Sequence, residues 1–183
     1  MFTIAHERPE HGPSLQPLLD AAFGPGRLGK RSYHFREGVE HDPDLAFVAL
    51  IGRRVVGTIR FWPILVGREG TPALLLGPLA VLPALKGRGI GRALVRYALN
   101  EASLQGHRAV LLVGDPAYYR VFGFEPAADH GLAMPGEDTA RLQVMALAPD
   151  GLADFGGEVR RAAPPTYARS DLNGLDAGAS NAA

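Results

Sequence analysis

The chain has 183 residues, 46% of them hydrophobic and 21% charged, with nineteen basic residues balancing nineteen acidic ones and no cysteine. That length suits one domain of roughly 100–200 residues with its own core, and the composition excludes a wholly disordered chain, a disulfide scaffold and any thiolate or cysteine-held metal chemistry. The zero net charge gives no global attraction to nucleic acid, no apolar run reaches the ~18 residues of a membrane span, and the opening MFTIAHERPEHG lacks a signal peptide's apolar stretch, so the expected setting is cytoplasmic, with neither nucleic acid nor membrane as partner.

Residues 1–6 read as a short β-like stretch. Residues 13–23 keep the helical spacing of one buried face through Leu15, Leu18, Leu19, Ala22 and Phe23. Ser14 suits the N-cap, Pro17 then falls in the first turn, and Gly24-Pro25-Gly26 stops the helix. Residues 27–43 are mixed and polar, with room for a second short helix before Asp42-Pro43.

Leu45–Ile51, Val55–Val66 and Ala73–Leu82 then read as strands joined by tight turns, an antiparallel meander. Proline has no N–H for the ladder, so Gly77-Pro78 inside the third run predicts a bulge or a parting of strands. The next helix carries Ile90, Ala93, Leu94, Tyr97, Ala98 and Ala102 on one stripe and stops at Gly106. AVLLV at 109–113 is a buried strand, and a helix between two apolar strands makes a βαβ unit with parallel strands. Asp115-Pro116 caps a short helix ending at Phe122-Gly123-Phe124. Residues 141–148 form another strand and Val159 sits in a weak last one. From Ala162 the chain is small, polar and broken, so the domain spans 1–161 and residues 162–183 read as a flexible tail.

The chemistry concentrates in Val81–Arg96. Glycines at 87, 89 and 91 let backbone approach a ligand closely, and the first N–H groups of the following helix have no intrahelical partner. Lys86, Arg88, Arg92 and Arg96 stand there without an acid between 84 and 96, and the three arginines are four apart, as on one helix face. A helix N-terminus ordinarily favours acids by roughly 0.3–1 kcal/mol, so the inverted charge points to a bound polyphosphate. A Walker loop is absent, and Gly87-x-Gly89-x-Gly91 misplaces the last glycine of a dinucleotide fingerprint.

Val81-Leu82-Pro83-Ala84-Leu85-Lys86-Gly87-Arg88-Gly89-Ile90-Gly91 resembles the acyl-CoA-binding motif of the GCN5-related N-acetyltransferase (GNAT) superfamily, with Lys86 where Gln or Arg is usual. Tyr119-Arg120-Val121-Phe122-Gly123-Phe124 resembles its tyrosine-to-Gly-Phe signature, and Gly114–Tyr119 is similar to a bacterial branch. The order of elements matches over roughly residues 2–148. The resemblance implies an α/β (α+β mixed) fold: a central, mostly antiparallel sheet of six or seven strands, splayed between the fourth and fifth, with flanking helices. It also implies an acetyl-CoA-dependent N-acetyltransferase, with acetyl-CoA as acyl donor, no metal, a small-molecule or peptide amine as acceptor, and a homodimer as a common assembly.

Carried onto this chain, the resemblance implies that Leu79, Ala80 and Val81 pair with the pantetheine arm. The corner of Lys86, Gly87, Arg88, Gly89, Ile90, Gly91 and Arg92 would take the pyrophosphate, through the N–H groups of 88–92. Tyr119 would protonate the departing thiolate after direct attack by a neutral amine, and a backbone N–H on the splayed strand would stabilise the oxyanion. Glu40, His34, His41 and Glu125 are the candidate bases by chemistry, and Arg60-Phe61-Trp62 a candidate acceptor wall. Residues 24–43 and 125–140 are the expected acceptor loops. The competing readings are a non-catalytic acyl-CoA-binding module, an NAD(P)-dependent oxidoreductase, and an interaction protein whose glycines only make a turn.

Overall fold

The computed structural model describes residues 1–29 and 31–162. The tail expected from Ala162 onward therefore lies, beyond that residue, outside the described residues. Apolar runs, buried on both faces in the central strands, build the sheet. β1 (Thr3–His6), β2 (Ala46–Ile51), β3 (Arg54–Val66) and β4 (Thr71–Val81) are antiparallel neighbours in chain order. β5 (Ala109–Val113) joins β4 in parallel. Of the remaining strands, β6 (Glu125–Pro126) pairs with β8 (Leu142–Ala146), which pairs with β5. β7 (Leu132–Ala133) pairs with β9 (Gly157–Arg161), which also pairs with the far end of β3. The described residues hold nine strands where six or seven are expected, because β6 and β7 have two residues each, too few for any periodicity to reveal.

Two helices cover the sheet from opposite sides. α1 (Gly12–Phe23) buries Leu15, Leu18 and Leu19 against Val48, Val55 and Ala80. α2 (Arg31–His34) is a single turn in the segment that follows. α3 (Ile90–Leu104) packs Ile90, Leu94, Val95, Ala98, Leu99 and Ala102 against Phe47, Ala49, Val56 and Ile59. Phe47 and Val48 face different helices because successive strand residues point to opposite faces. Full burial of such an aliphatic side chain stabilises by about 1.5–3 kcal/mol, so α3 is anchored chiefly by its apolar stripe. Gly57 permits this approach, since a Cβ there would lie 3.1 Å from both Leu94 Cδ1 and the Ala80 carbonyl oxygen.

Three local expectations change. α1 begins at Gly12, with His11 at the N-cap making no side-chain cap bond, so Ser14 is helical rather than capping. Pro17 consequently sits inside the helix, beyond its first turn, where it lacks the N–H for the carbonyl four residues back. The stripe on α3 is centred differently: Val95 and Leu99 are buried, while Tyr97 is 38% exposed and meets Phe47 only edge-on at 5.1 Å.

The bulge expected at Gly77-Pro78 is present. Ile59 pairs with Leu79, but Phe61 pairs with Leu76, so β4 carries one residue more than β3. The extra residue reverses which side chains face which helix: Leu74 and Leu76 pack on the α3 side before it, whereas Ala80 packs against α1 after it. Gly77 adopts φ 131°, and the Gly77-Pro78 peptide is cis. Trp62 Nε1 donates to the Gly77 carbonyl at 2.6 Å and so ties the bulge to β3.

Candidate active site

The bulge opens the sheet. β4 and β5 pair only at Leu74–Val110 and Leu75–Leu111. Past that point a cavity of about 540 Å³ separates them, with Leu76, Gly77, Pro78 and Leu79 on one wall and Val113, Gly114, Asp115 and Tyr119 on the other. Leu79, Ala80 and Val81 keep their partners Ile59, Thr58 and Gly57 on β3, so these residues form a strand paired on one side at the rim of the opening.

The glycine corner lies at the end of that strand. After β4 a short 3₁₀ turn, Pro83–Leu85, leads to Gly87 at φ 83° and Gly89 at φ 79°. A Cβ at either position would meet nothing within 4 Å, so conformation rather than crowding demands glycine there. Gly89 is the N-cap of α3 and supplies no side chain to the first turn, which also holds no acid. The first intrahelical bond runs from Ala93 to the Gly89 carbonyl at 3.0 Å, which leaves the Ile90, Gly91 and Arg92 amides ahead of the ladder. The Arg88 amide donates instead to the Leu85 carbonyl at 3.3 Å. Arg88 precedes the helix, so only Arg92 and Arg96 share a helical face, a correction to the three-arginine stripe. Lys86, Arg88, Arg92 and Arg96 are all exposed, and none has an ion-pair partner among the described residues.

The two adjacent tyrosines separate as helix geometry requires. α4 (Pro116–Tyr119) is capped by Asp115, whose Oδ1 accepts from the Ala117 amide at 2.9 Å, and Gly123 ends the following turn at φ 99°. Tyr118 turns to the glycine corner: its hydroxyl lies 2.9 Å from where a Gly91 Cβ would be. Tyr119 turns to the cavity, beside Gly114, whose Cβ would sit 2.3 Å from the Tyr119 ring. Burial pushes the Tyr119 phenol well above its ordinary value, and the neighbouring Tyr118 adds to this, so Tyr119 holds its proton throughout the neutral range. Burial also raises Tyr118, partly offset by the charge of Arg92.

The far side of the cavity comes from residues that sequence reasoning did not single out: Tyr33, Arg36, Glu137 and Arg141. Both expected acceptor loops contribute, 24–43 through Gly29, Tyr33 and Arg36, and 125–140 through Glu137. A second cavity of about 430 Å³ adjoins, sharing Tyr33, Arg36 and Pro78 and adding Arg27, Arg60 and Trp62. Trp62 and Arg60 therefore do line a hollow, while Phe61 is core. Desolvation lowers the Arg36 guanidinium to about 10, against the supporting charges of Tyr33 and Glu137 and with the opposing charge of Arg60. None of the four expected bases lines either cavity. His34 pairs with Glu37 at 2.9 Å, Glu125 pairs with His130 at 2.8 Å, Glu40 is exposed, and His41 packs edge-on against Trp62 at 5.5 Å. Arg36 and Glu137 have no flanking motif, and only their membership of those two polar loops pointed toward them.

Among the described residues no helix is long and apolar enough to cross a membrane. The family model for the acetyltransferase (GNAT) family matches residues 13–124. An Escherichia coli K12 protein described as the uncharacterized N-acetyltransferase YhbS is 35% identical over 159 residues, spanning 85% of this chain and 93% of that protein. The crystal structure of Escherichia coli YhbS in complex with CoA superposes with a TM-score of 0.75 at 33% identity, covering 88% of this chain and 89% of that one. A GNAT family acetyltransferase from Brucella melitensis in complex with acetyl-CoA gives 0.66 at 31% identity, covering 89% and 97%. With the parted strands, the glycine corner and these matches in agreement, the chain belongs to the GNAT family of acetyltransferases, and is an acyltransferase of that fold.

Proposed function

We propose that this protein transfers the acetyl group of acetyl-CoA directly to a primary amine. The observation that carries the reading is the opening between β4 and β5, flanked by a cationic corner whose Ile90, Gly91 and Arg92 amides lie ahead of the helical ladder. That corner fits a pyrophosphate: Gly87 and Gly89 leave space around the backbone, and the Ile90, Gly91 and Arg92 amides, with the side chains of Lys86, Arg88 and Arg92, supply hydrogen bonds and charge. The Arg88 amide is already engaged with Leu85, so its contribution comes through the side chain. Leu79, Ala80 and Val81 offer their unpaired side to the pantetheine arm as one more strand would. Crystal structures of two relatives, holding CoA and acetyl-CoA, support the same ligand here.

Acetyl-CoA supplies the activated acetyl thioester, and the chain's own groups do the rest. The cavity walls Leu76, Pro78 and Val113 exclude water from the reacting atoms. Tyr119, protonated and facing the cavity, gives its proton to the leaving sulfur. A thiolate expelled into the same desolvated space is itself more basic than in water, which narrows the gap to the phenol. Residues 1–161 are proposed as the transferase unit, and the pairing of β9 with β3 as far as Arg161 supports including that strand.

Two measurements test this. Saturating acetyl-CoA, at about a hundred times its dissociation constant, should stabilise the fold by ~2.7 kcal/mol, with CoA acting similarly and NAD not at all. Thiol release should then appear across a panel of primary amines. A shift with NAD alone, or acetyl-CoA binding without thiol release from any amine, would overturn the reading.

A further inference from the structure

Four arginines line the joined cavities, and they are not alike: Arg141 is exposed and makes no ion pair among the described residues. Arg27 donates through Nε to Asp20 at 2.8 Å. Arg60 donates through Nε to Glu7 at 2.7 Å. Arg36, which borders both cavities, has no carboxylate at ion-pair distance among the described residues, and its Nε is buried without a partner. Its guanidinium is nonetheless held in place, 4.8 Å from the Tyr33 ring centroid and 5.8 Å from that of Trp62. It also abuts the bulge, with Nη2 2.8 Å from where a Gly77 Cβ would lie. Glu137 lines the same cavity, and its Oε1 is likewise buried and unpartnered. Two opposite charges thus share one hollow with no hydrogen bond between them, and each keeps one buried polar atom unpartnered, which favours a ligand that engages both.

We propose that Arg36 and Glu137 form the acceptor subsite, and that the acceptor is a primary amine that also bears a carboxylate. The planar guanidinium takes the carboxylate, for which its fork is matched, and Glu137 takes the ammonium. This rests on the acetyl-transfer reading above for its chemistry. Glu137 accepts one proton from the ammonium and passes it to solvent. The nitrogen lone pair forms the bond to the acetyl carbon, and the carbon–sulfur pair leaves on sulfur. A second nitrogen proton reaches that sulfur by way of Tyr119, and the third stays on the amide.

Matched pairs that differ only in the carboxylate test the proposal: glycine, β-alanine, 4-aminobutyrate and L-lysine, each beside its carboxamide, with phosphoethanolamine as the anionic comparator. Calorimetry on the full chain without acetyl-CoA reads binding, and thiol release with acetyl-CoA reads transfer. In at least one pair the acid should exceed the amide in kcat/KM by about ten- to a hundredfold, the value of a charged hydrogen-bonded contact. Arg36→Gln should bring that ratio toward one through KM, Arg36→Lys should restore part of it, and acetyl-CoA affinity should hold in both. Glu137→Gln should lower kcat more than it raises KM. Equal use of acid and amide in every pair, a ratio indifferent to Arg36→Gln, or preference for phosphoethanolamine over every carboxylate would overturn the proposal. An acid that binds through Arg36 with no thiol released keeps the subsite and sinks the transfer reading. Turnover of amines without acid preference does the reverse.

Discussion

The two ends of the opening between β4 and β5 are built in contrasting ways. The glycine corner is local: Gly87, Gly89 and the first turn of α3 follow one another, and their donors are backbone groups whose direction is set by neighbouring dihedrals. The opposite end is assembled from a distance, with Tyr33 and Arg36 from the segment around α2, Trp62 from mid-β3, and Glu137 from the stretch between β7 and β8. A site made of backbone can be reused for one invariant ligand group, whereas a site made of side chains on loops can change its ligand without disturbing the sheet.

The comparison can be broken by substitutions that strike one end only. Gly89→Asp has the largest expected effect. It puts a negative charge at the first turn of α3, and acetyl-CoA affinity should fall about a hundredfold or more by calorimetric titration. Because the new Cβ meets nothing, the fold should lose only the ~1–2 kcal/mol of a left-handed residue that is not glycine. Unchanged acetyl-CoA affinity would move the anion site elsewhere.

Tyr119→Phe comes next. Turnover should drop by about 10²-fold while acetyl-CoA affinity stays near wild type, and normal turnover would remove Tyr119 from the chemistry. The buried, raised phenol keeps its proton to high pH, so the wild-type rate should show no falling alkaline limb before about pH 10.

Trp62→Phe sharpens the contrast from the acceptor side. The Gly77 carbonyl loses its 2.6 Å donor, which should cost about 1 kcal/mol in denaturant unfolding and raise KM for the amine, with acetyl-CoA binding spared. An effect on acetyl-CoA affinity alone would show that the bulge serves the donor rather than the acceptor.

The smallest effect concerns pH. Burial, and secondarily the charge of Arg60, hold His41 below its ordinary value, so the folded state resists its protonation. The unfolded chain takes up that proton below about pH 6.5, so stability present above that pH declines as acidity rises toward the lower folded value. His41→Gln should make the melting temperature fall less steeply between about pH 6.5 and 5.

Much of this architecture was legible in the residues. The apolar, β-rich runs between turns located β2 to β5, and Pro78, unable to donate to a ladder, marked the place where β4 acquires its extra residue and leaves β5. The glycine spacing and the missing acids marked the corner proposed for the pyrophosphate. The illegible parts have physical reasons. Arg88 looked helical because it keeps a four-residue spacing with Arg92, but positive φ at Gly89 delays the helix to Ile90. Ser14 looked like a cap, yet α1 starts two residues earlier without one. The four acid–base candidates were chosen by side-chain type, and type says nothing about which surface a residue occupies; three lie exposed and His41 lies against Trp62.

Sequence by itself determined the pieces governed by neighbours along the chain: strand and helix periodicity, the proline-driven bulge, and a glycine-led helix start with no acid in its first turn. Tertiary structure alone decided that Arg36 and Glu137 line the cavity, each with one buried, unpartnered atom, while Arg27 and Arg60 find carboxylates elsewhere. Dihedral preferences and periodicity act over a few residues, but the pairing of charges depends on distances that only the closed sheet sets.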